Sequence, residues 1–249
     1  MKSTARAARN AFLLVVLVLA AWQTLYWAVG DNALRSPAQT LRYAKALLAG
    51  DMLGPHLRET MTAFALALML AIIAGLTIGF TLGYSKFAGD VFEPMLVAIY
   101  SIPKITLYPI LLLMFGLGMS AKVAFGTIHG VIPIAIFTIN AVRNVRPVLI
   151  KTGRVVGLGS ANVVRLILLP AALPEIFTGI RVGFSLTLVG TLLGEMFASQ
   201  RGLGFLLMNA IGLHNIDLIM ALTLLLVVFA ATVSSILLFY DRRLHERLG

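Results

Sequence analysis

Hydrophobic positions along the chain gather into long runs separated by short charged segments. The first run, Phe12 to Val29, follows Lys2, Arg6 and Arg9 and carries Trp22, Tyr26 and Trp27 near its far end, where amphipathic rings favour a membrane interface. Its length and the lack of a small-x-small cleavage pattern predict a retained span rather than a cleaved signal peptide. From Asp31 to Glu59 charged and apolar residues mix, and Leu41, Ala44, Leu47 and Leu48 recur at helical spacing after Ser36-Pro37, predicting a short interfacial helix. Further runs cover about Thr60 to Tyr84, Val91 to Gly118, Ala121 to Val142, Ile176 to Phe197 and Leu218 to Tyr240. A hydrocarbon core about 30 Å thick needs roughly 20 apolar residues to cross as a helix, so the pattern predicts an all-α, polytopic membrane protein with six transmembrane helices.

Within the runs, small residues and prolines predict local geometry. Gly75, Gly79 and Gly83 stand four apart on one helical face, where another helix can approach closely. Gly179 with Gly183, and Gly190 with Gly194, repeat that spacing and are expected to serve helix packing, with a subunit interface as one place for it. Pro94, Pro103 and Pro109 interrupt the third run, which is therefore expected to bend.

Composition sharpens the class. Hydrophobic residues make up 59% of 249 positions and the mean hydropathy is +0.96, far above a water-soluble domain. With no Cys and only four dispersed His, disulfides and thiol chemistry are excluded and no metal site is expected. The formal charge of +10 does not point to nucleic acid, because the Lys and Arg residues border the apolar runs. With the N-terminus inside, cytoplasmic segments collect twelve of them, including Arg143, Arg146, Lys151, Arg154 and Arg165, against six outside. That bias predicts cytoplasmic N- and C-termini. No P-loop, HExxH or G-x-S-x-G motif occurs, so the chain is not expected to be an enzyme or to bind ATP itself.

The longest charged stretch between spans, 143–175, holds Gly157, nine further residues, and then Ile167, Leu168, Leu169 and Pro170. At this spacing the sequence resembles the MetI-like permeases of binding-protein-dependent ABC importers, whose signature is an EAA triplet, three residues, Gly, nine residues and Ile-x-Leu-Pro in the last cytoplasmic loop. The resemblance runs from about Ser36 to the C-terminus through Ser101-Ile102-Pro103-Lys104, Phe115-Gly116-Leu117-Gly118, Glu195-Met196 and Gly202-Leu203-Gly204-Phe205, and is strongest to nitrate, taurine and aliphatic-sulfonate permeases. It implies a MetI-like permease fold, with an N-terminal span and outer segment at 1–57 and a permease core at 58–249. The coupling residues carried over are Lys151, Thr152, Gly153, Gly157, Ile167, Leu169 and Pro170. One departure is plain: Lys151-Thr152-Gly153 stands where the triplet begins with an acid. A short helix over about 148–156, breaking at Gly157, fits the loop.

The resemblance also implies two ATP-binding subunits that bind ATP and Mg, an extracytoplasmic substrate-binding protein, and a homodimer. The expected cargo is a small anion such as a sulfonate, taurine or nitrate. A vitamin or pyrimidine precursor is the alternative, and an ion-coupled secondary transporter is the rival from another class. Three further residues carry open readings. Lys104 sits near the inner interface or serves an anion pathway. His129 makes an interhelical hydrogen bond or lines the pathway. Glu195 braces the outer turn, or gates or contacts the receptor.

Overall fold

In a computed structural model, residues 2–248 are described, with the side chains of residues 1–8, 154, 198 and 247–249 outside the description; the basic side chains of Lys2, Arg6, Arg154 and Arg247 fall among these. The described residues form helices joined by short turns, with no strand. In order they are α1 (Lys2–Val29), α2 (Pro37–Ala49), α3 (Leu53–Tyr84), α4 (Lys86–Ser101), α5 (Tyr108–Phe115), α6 (Met119–Arg143), α7 (Pro147–Val155), α8 (Ser160–Val163), α9 (Leu169–Ala198), α10 (Leu203–Gly212) and α11 (Ile216–Leu248).

Local sequence explains the breaks. Ser36, in extended conformation, starts α2 with a capping box: its Oγ accepts from the Gln39 N–H at 3.2 Å, and the Gln39 side chain accepts from the Ser36 N–H at 2.8 Å. This reciprocal pairing satisfies two of the helix's orphan donors. The face that α2 buries is Thr40, Ala44 and Leu47, while Leu41 and Leu48 are exposed; the stripe is thus rotated from the one the apolar spacing predicts. Pro103 forces extended backbone on Ile102, and α4 and the Lys104–Phe115 segment meet at 86°.

Two compact units can be distinguished, Met1–Pro55 with Leu206–Phe229, and His56–Phe205 with Ala230–Gly249. The first is pinned by Arg35. Its Nε donates to Asp217 at 2.6 Å and its Nη2 at 3.1 Å, while its carbonyl accepts from Trp22 Nε1 at 2.9 Å. The hydrogen bonds to the Asp217 carboxylate hold the Arg35 guanidinium above its ordinary pKa.

The second unit is built around α6. A Cβ on Gly75 would lie 2.7 Å from Ile134 Cβ and one on Gly83 3.0 Å from Val142 Cβ, with Gly79 receiving Thr138 between them. Ala67 and Ala71 fit against Gly126 and Gly130 in the same way. Each pair is 59 positions apart, so α3 and α6 run parallel in constant register. Along its other side α6 meets α9 in antiparallel register: Gly179 faces Phe137, Gly183 faces Ile134, Gly190 faces His129 and Gly194 faces Lys122. Close backbone approach supplies the van der Waals contact that drives helix association where lipid removes the hydrophobic incentive. The paired glycines of α9 therefore serve the close helix packing expected of them, and their partner is α6 of the same chain.

The parallel register bears on how the bent segment crosses. Among the described residues five helices are long and apolar enough to span a membrane, and the bent pair of α4 with Lys104–Phe115 makes a sixth only if it counts as one crossing. For α3 and α6 to point the same way, the chain must cross back once between them, and that bent pair is the segment available. One expected boundary changes. The fifth span begins earlier, because α8 and a π-type turn at Val164–Leu168 run into α9 and helix continues through Pro174. Between the last two apolar runs, where the hydrophobic pattern predicts no element, the chain forms α10.

Candidate functional site

The loop between α6 and α9 folds as a small helical bracket. The short helix α7 carries Lys151 and Thr152 on its exposed surface, and the chain then reverses at Gly157, whose φ is +81°. Glycine adopts such a backbone most readily, and β-branched residues least. Leu158 N–H donates to Gly153 C=O at 3.0 Å, closing the turn. Gly153 is buried because Ile167 folds back onto it: a Cβ there would come within 2.5 Å of Ile167 Cδ1. The sequence signal thus joins its two halves, with the third triplet position forming the seat for the Ile of Ile-x-Leu-Pro. Leu169 is exposed and Pro170 half-buried at the start of α9. The tip is apolar and unshielded, with Val155 86% and Val156 72% exposed.

Filling this seat should loosen the bracket. Gly153→Val is expected to destabilise the loop by about 1 kcal/mol, the low end of overpacking because the displaced atom is the flexible tip of Ile167, and Ile167→Ala in the same chain is expected to recover most of that loss. Limited proteolysis of the loop in membranes reads both; equal cleavage of parent and Gly153→Val would contradict the contact.

Charged clamps hold α6 at both ends. At the loop end, Arg143 Nη1 donates to Glu93 at 2.9 Å and Nη2 to Asp90, joining α6 to α4. Gly89 leaves room for the arginine, since a Cβ there would lie 3.1 Å from Nη1. Nearby, Asp241 is buried and accepts from Thr178 Oγ1 at 2.8 Å, with Arg181 Nε at 3.2 Å, tying the end of α11 to α9.

At the opposite end Lys122 is fully buried. Its Nζ donates to Glu59 Oε1 at 2.9 Å, Ser199 Oγ at 3.1 Å and Arg201 C=O at 3.2 Å, which uses all three ammonium protons. Glu195, also fully buried, accepts from Thr60 Oγ1 at 2.8 Å and the Gly204 N–H at 3.0 Å, with Lys122 Nζ 3.8 Å from its other oxygen. Thr60 Oγ1 in turn accepts from the Leu203 N–H at 2.8 Å, and His56 Nδ1 lies 3.1 Å from both polar backbone atoms of Gly202. His56, Glu59 and Thr60 fall on one face of α3. Together with Lys122 and Glu195 they grip the 199–204 turn, where Gly202 has φ +122° and sits against the Glu195 carboxyl. A cavity of about 470 Å³ opens beside the turn, lined by Glu59, Gly118, Phe197, Gln200 and Arg201 among others.

Lys104 and His129, also singled out from sequence, do not join these clusters. Lys104 turns back on its own segment, donating to Tyr100 C=O at 3.0 Å with its ammonium 4.6 Å from the Tyr100 ring centre. His129 is buried between α6 and α9, its Nδ1 2.8 Å from Phe125 C=O and its ring against Gly190. Glu195 offers no surface to another protein in this arrangement. Arg143, counted from sequence among the charges bordering the apolar runs, and Lys122 at the other end of α6 are both committed to ion pairs.

The chain matches the family described as the binding-protein-dependent transport system inner membrane component over residues 67–249. It belongs to that family. The permease is 35% identical over 208 residues to the riboflavin transport system permease protein RibX of Chloroflexus aurantiacus, covering 82% of this chain and 77% of the relative. It is 27% identical to the aliphatic sulfonates permease SsuC of Bacillus subtilis, described as putative there, over 93% of this chain and 85% of that one. Identity to the taurine transport system permease protein TauC of Escherichia coli is also 27%, over 82% and 78%. In fold, it is similar to a chain of the MetNI methionine ABC transporter in an inward-facing conformation, with TM-score 0.64 at 19% identity, covering 80% of this chain and 98% of that chain. The permease is accordingly an ABC importer subunit of the inner membrane, with the all-helical MetI-like fold expected from sequence.

Proposed function

We propose that the permease works as a homodimer, with an extracytoplasmic binding protein delivering solute on one side and two ATP-binding subunits gripping the Gly157 bracket on the other. ATP and Mg belong to those subunits. The observation that carries this reading is the bracket itself: a basic loop with no acid between Arg143 and Pro174 that ends in the exposed apolar tip Val155-Val156. Exposed apolar residues in a charged segment, away from the spans, call for a protein groove. The excess of Lys and Arg on this side supports placing it, and both termini, in the cytoplasm. Lys151 offers a cation where an acid stands in the family signature, so the docking position and the Gly157 turn carry over, while the usual charge contact does not.

The cargo in this reading is a small organic or inorganic anion such as a sulfonate, taurine or nitrate, as the names of the SsuC and TauC relatives suggest. The 35% identity to RibX favours a second reading, a vitamin of the riboflavin kind. Lys104 and His129 are the candidates for the pathway, and Glu195 acts by holding the outer turn closed.

Cross-linking tests the docking directly, because the natural chain has no cysteine. A Val155→Cys permease co-expressed with its ATP-binding subunit is expected to cross-link to that subunit through a short bifunctional maleimide–amine reagent, whereas Trp27→Cys is not. Absence of the Val155→Cys product from a complex that still co-purifies would move the docking site elsewhere; failure to co-purify would refute the ATPase partnership. Uptake of labelled solute competed by taurine but not riboflavin supports the anion, and the reverse supports the vitamin.

A further inference from the structure

We propose that α6 is the mechanical link between the ATPase-docking bracket and the outer mouth, with Arg143 and Lys122 as the positioning residues that fasten its two ends. The inference rests on the docking reading above. Three observations lead to it.

First, α6 enters the bracket directly: only 144–146 separate it from α7. A displacement of the bracket therefore acts directly on the end of α6, as it does on α9 through α8 and the Val164–Leu168 turn. Second, α6 is the most deeply packed of the spanning helices, with 56% of its apolar window buried. It is notched into α3 on one side and α9 on the other by close backbone contacts. Interfaces of this kind switch between discrete arrangements rather than deforming continuously. From Arg143 to Lys122 the rod extends about 32 Å at 1.5 Å per residue.

Third, each end carries a charged fastening that reaches a different part of the fold. Arg143 binds Asp90 and Glu93 of α4, the first half of the bent crossing. Lys122 spends its three ammonium protons on Glu59, Ser199 and Arg201, so movement of α6 is handed to the 199–204 turn rather than to lipid. A buried cation held by two carboxylates and two turn oxygens costs far more to break than a helix contact. Packing alone needs no such group, because an apolar residue would fill the same space. In this arrangement nucleotide-driven movement of the bracket can reorganise the α4 contact at one end and the cavity beside Gln200 at the other, provided the two states hold these ion pairs differently.

The cysteine-free chain allows the transfer to be read at the far end. A single Gln200→Cys, exposed on the outer turn, is placed in the complete complex with its ATP-binding subunits. Labelling by a membrane-impermeant maleimide is compared with and without ATP and vanadate. The rate is expected to change on trapping, and Arg143→Ala, on the opposite side of the membrane, is expected to reduce that nucleotide-dependent change by roughly 3- to 30-fold. Arg143→Lys is expected to restore part of it while ATP hydrolysis continues in both variants. A role confined to folding would alter yield and not the response of surviving complexes. If trapping leaves the Gln200→Cys rate unchanged in the parent, or if Arg143→Ala preserves the full response, α6 is not the link. Should the complex fail to assemble or hydrolyse ATP even with Arg143 intact, it is the docking reading beneath that falls.

Discussion

Gly157→Val is expected to lower solute uptake per ATP hydrolysed by about tenfold or more, while the protein still inserts into the membrane and binds its ATP-binding subunit. The cause is backbone geometry and not space, since nothing lies within 4 Å of a Cβ at this position. At φ +81° a β-branched residue costs about 1–3 kcal/mol, enough to shift a two-state loop by roughly 5- to 150-fold. The bracket would relax to another turn and carry Val155 and Val156 out of the orientation proposed for docking, weakening transmission without removing the rest of the interface. Gly157→Asn provides the control, because Asn tolerates the left-handed region and is expected to retain most of the coupling. Reconstituted complexes assayed for phosphate release and uptake together measure the ratio; equal ratios for Gly157→Val and the parent would remove the bracket from the mechanism.

The second large effect is on stability. Lys122→Met is expected to destabilise the permease by about 3–5 kcal/mol, the cost of breaking a buried charge pair by removing one partner. The variant leaves Glu59 and Glu195 without their cation, and frees Ser199 and Arg201 from the turn's main support. Adding Glu195→Gln is expected to return part of the loss, since an amide keeps an acceptor for Gly204 and Thr60 without the uncompensated charge. Thermal unfolding in detergent, run as a double-mutant cycle, reads both steps. Strictly additive losses would mean that the two side chains do not interact as their 3.8 Å separation implies.

Much of the architecture could be read from the residue pattern because lipid imposes a simple rule: each crossing needs a long apolar helix with its backbone satisfied internally. The Ser36 cap, the bend at Pro103 and the reversal at Gly157 were equally legible, since each depends on residues adjacent in sequence. Helix through Pro174 was not, because proline in a membrane helix is tolerated when its neighbours satisfy the freed backbone groups. Nor was α10, whose ten residues are too short for a span and contain glycine near both ends. The clamps were the largest omission. Lys122 pairs with residues 63 and 73 positions away, and no local periodicity announces a contact over that separation. A lysine at the start of an apolar run was still a signal, as an intramembrane charge without a partner is expensive. The face formed by His56, Glu59 and Thr60 was its counterpart.

The two charged clamps and the glycine bracket give the permease a division of labour. Close-packed small residues fix how α3, α6 and α9 run, and the ion pairs decide what moves with α6. Selection of solute rests elsewhere in this account, with the binding protein that presents it.

Transport by purified components tests the central claim most directly. Vesicles containing the permease alone, or the permease with its ATP-binding subunit, are loaded with ATP and Mg and offered binding protein carrying labelled taurine or labelled riboflavin. One of the two labels is expected to accumulate only when the ATP-binding subunit, internal ATP and the binding protein are all present, with no response to an imposed proton or sodium gradient. Accumulation by the permease alone under such a gradient would contradict the account.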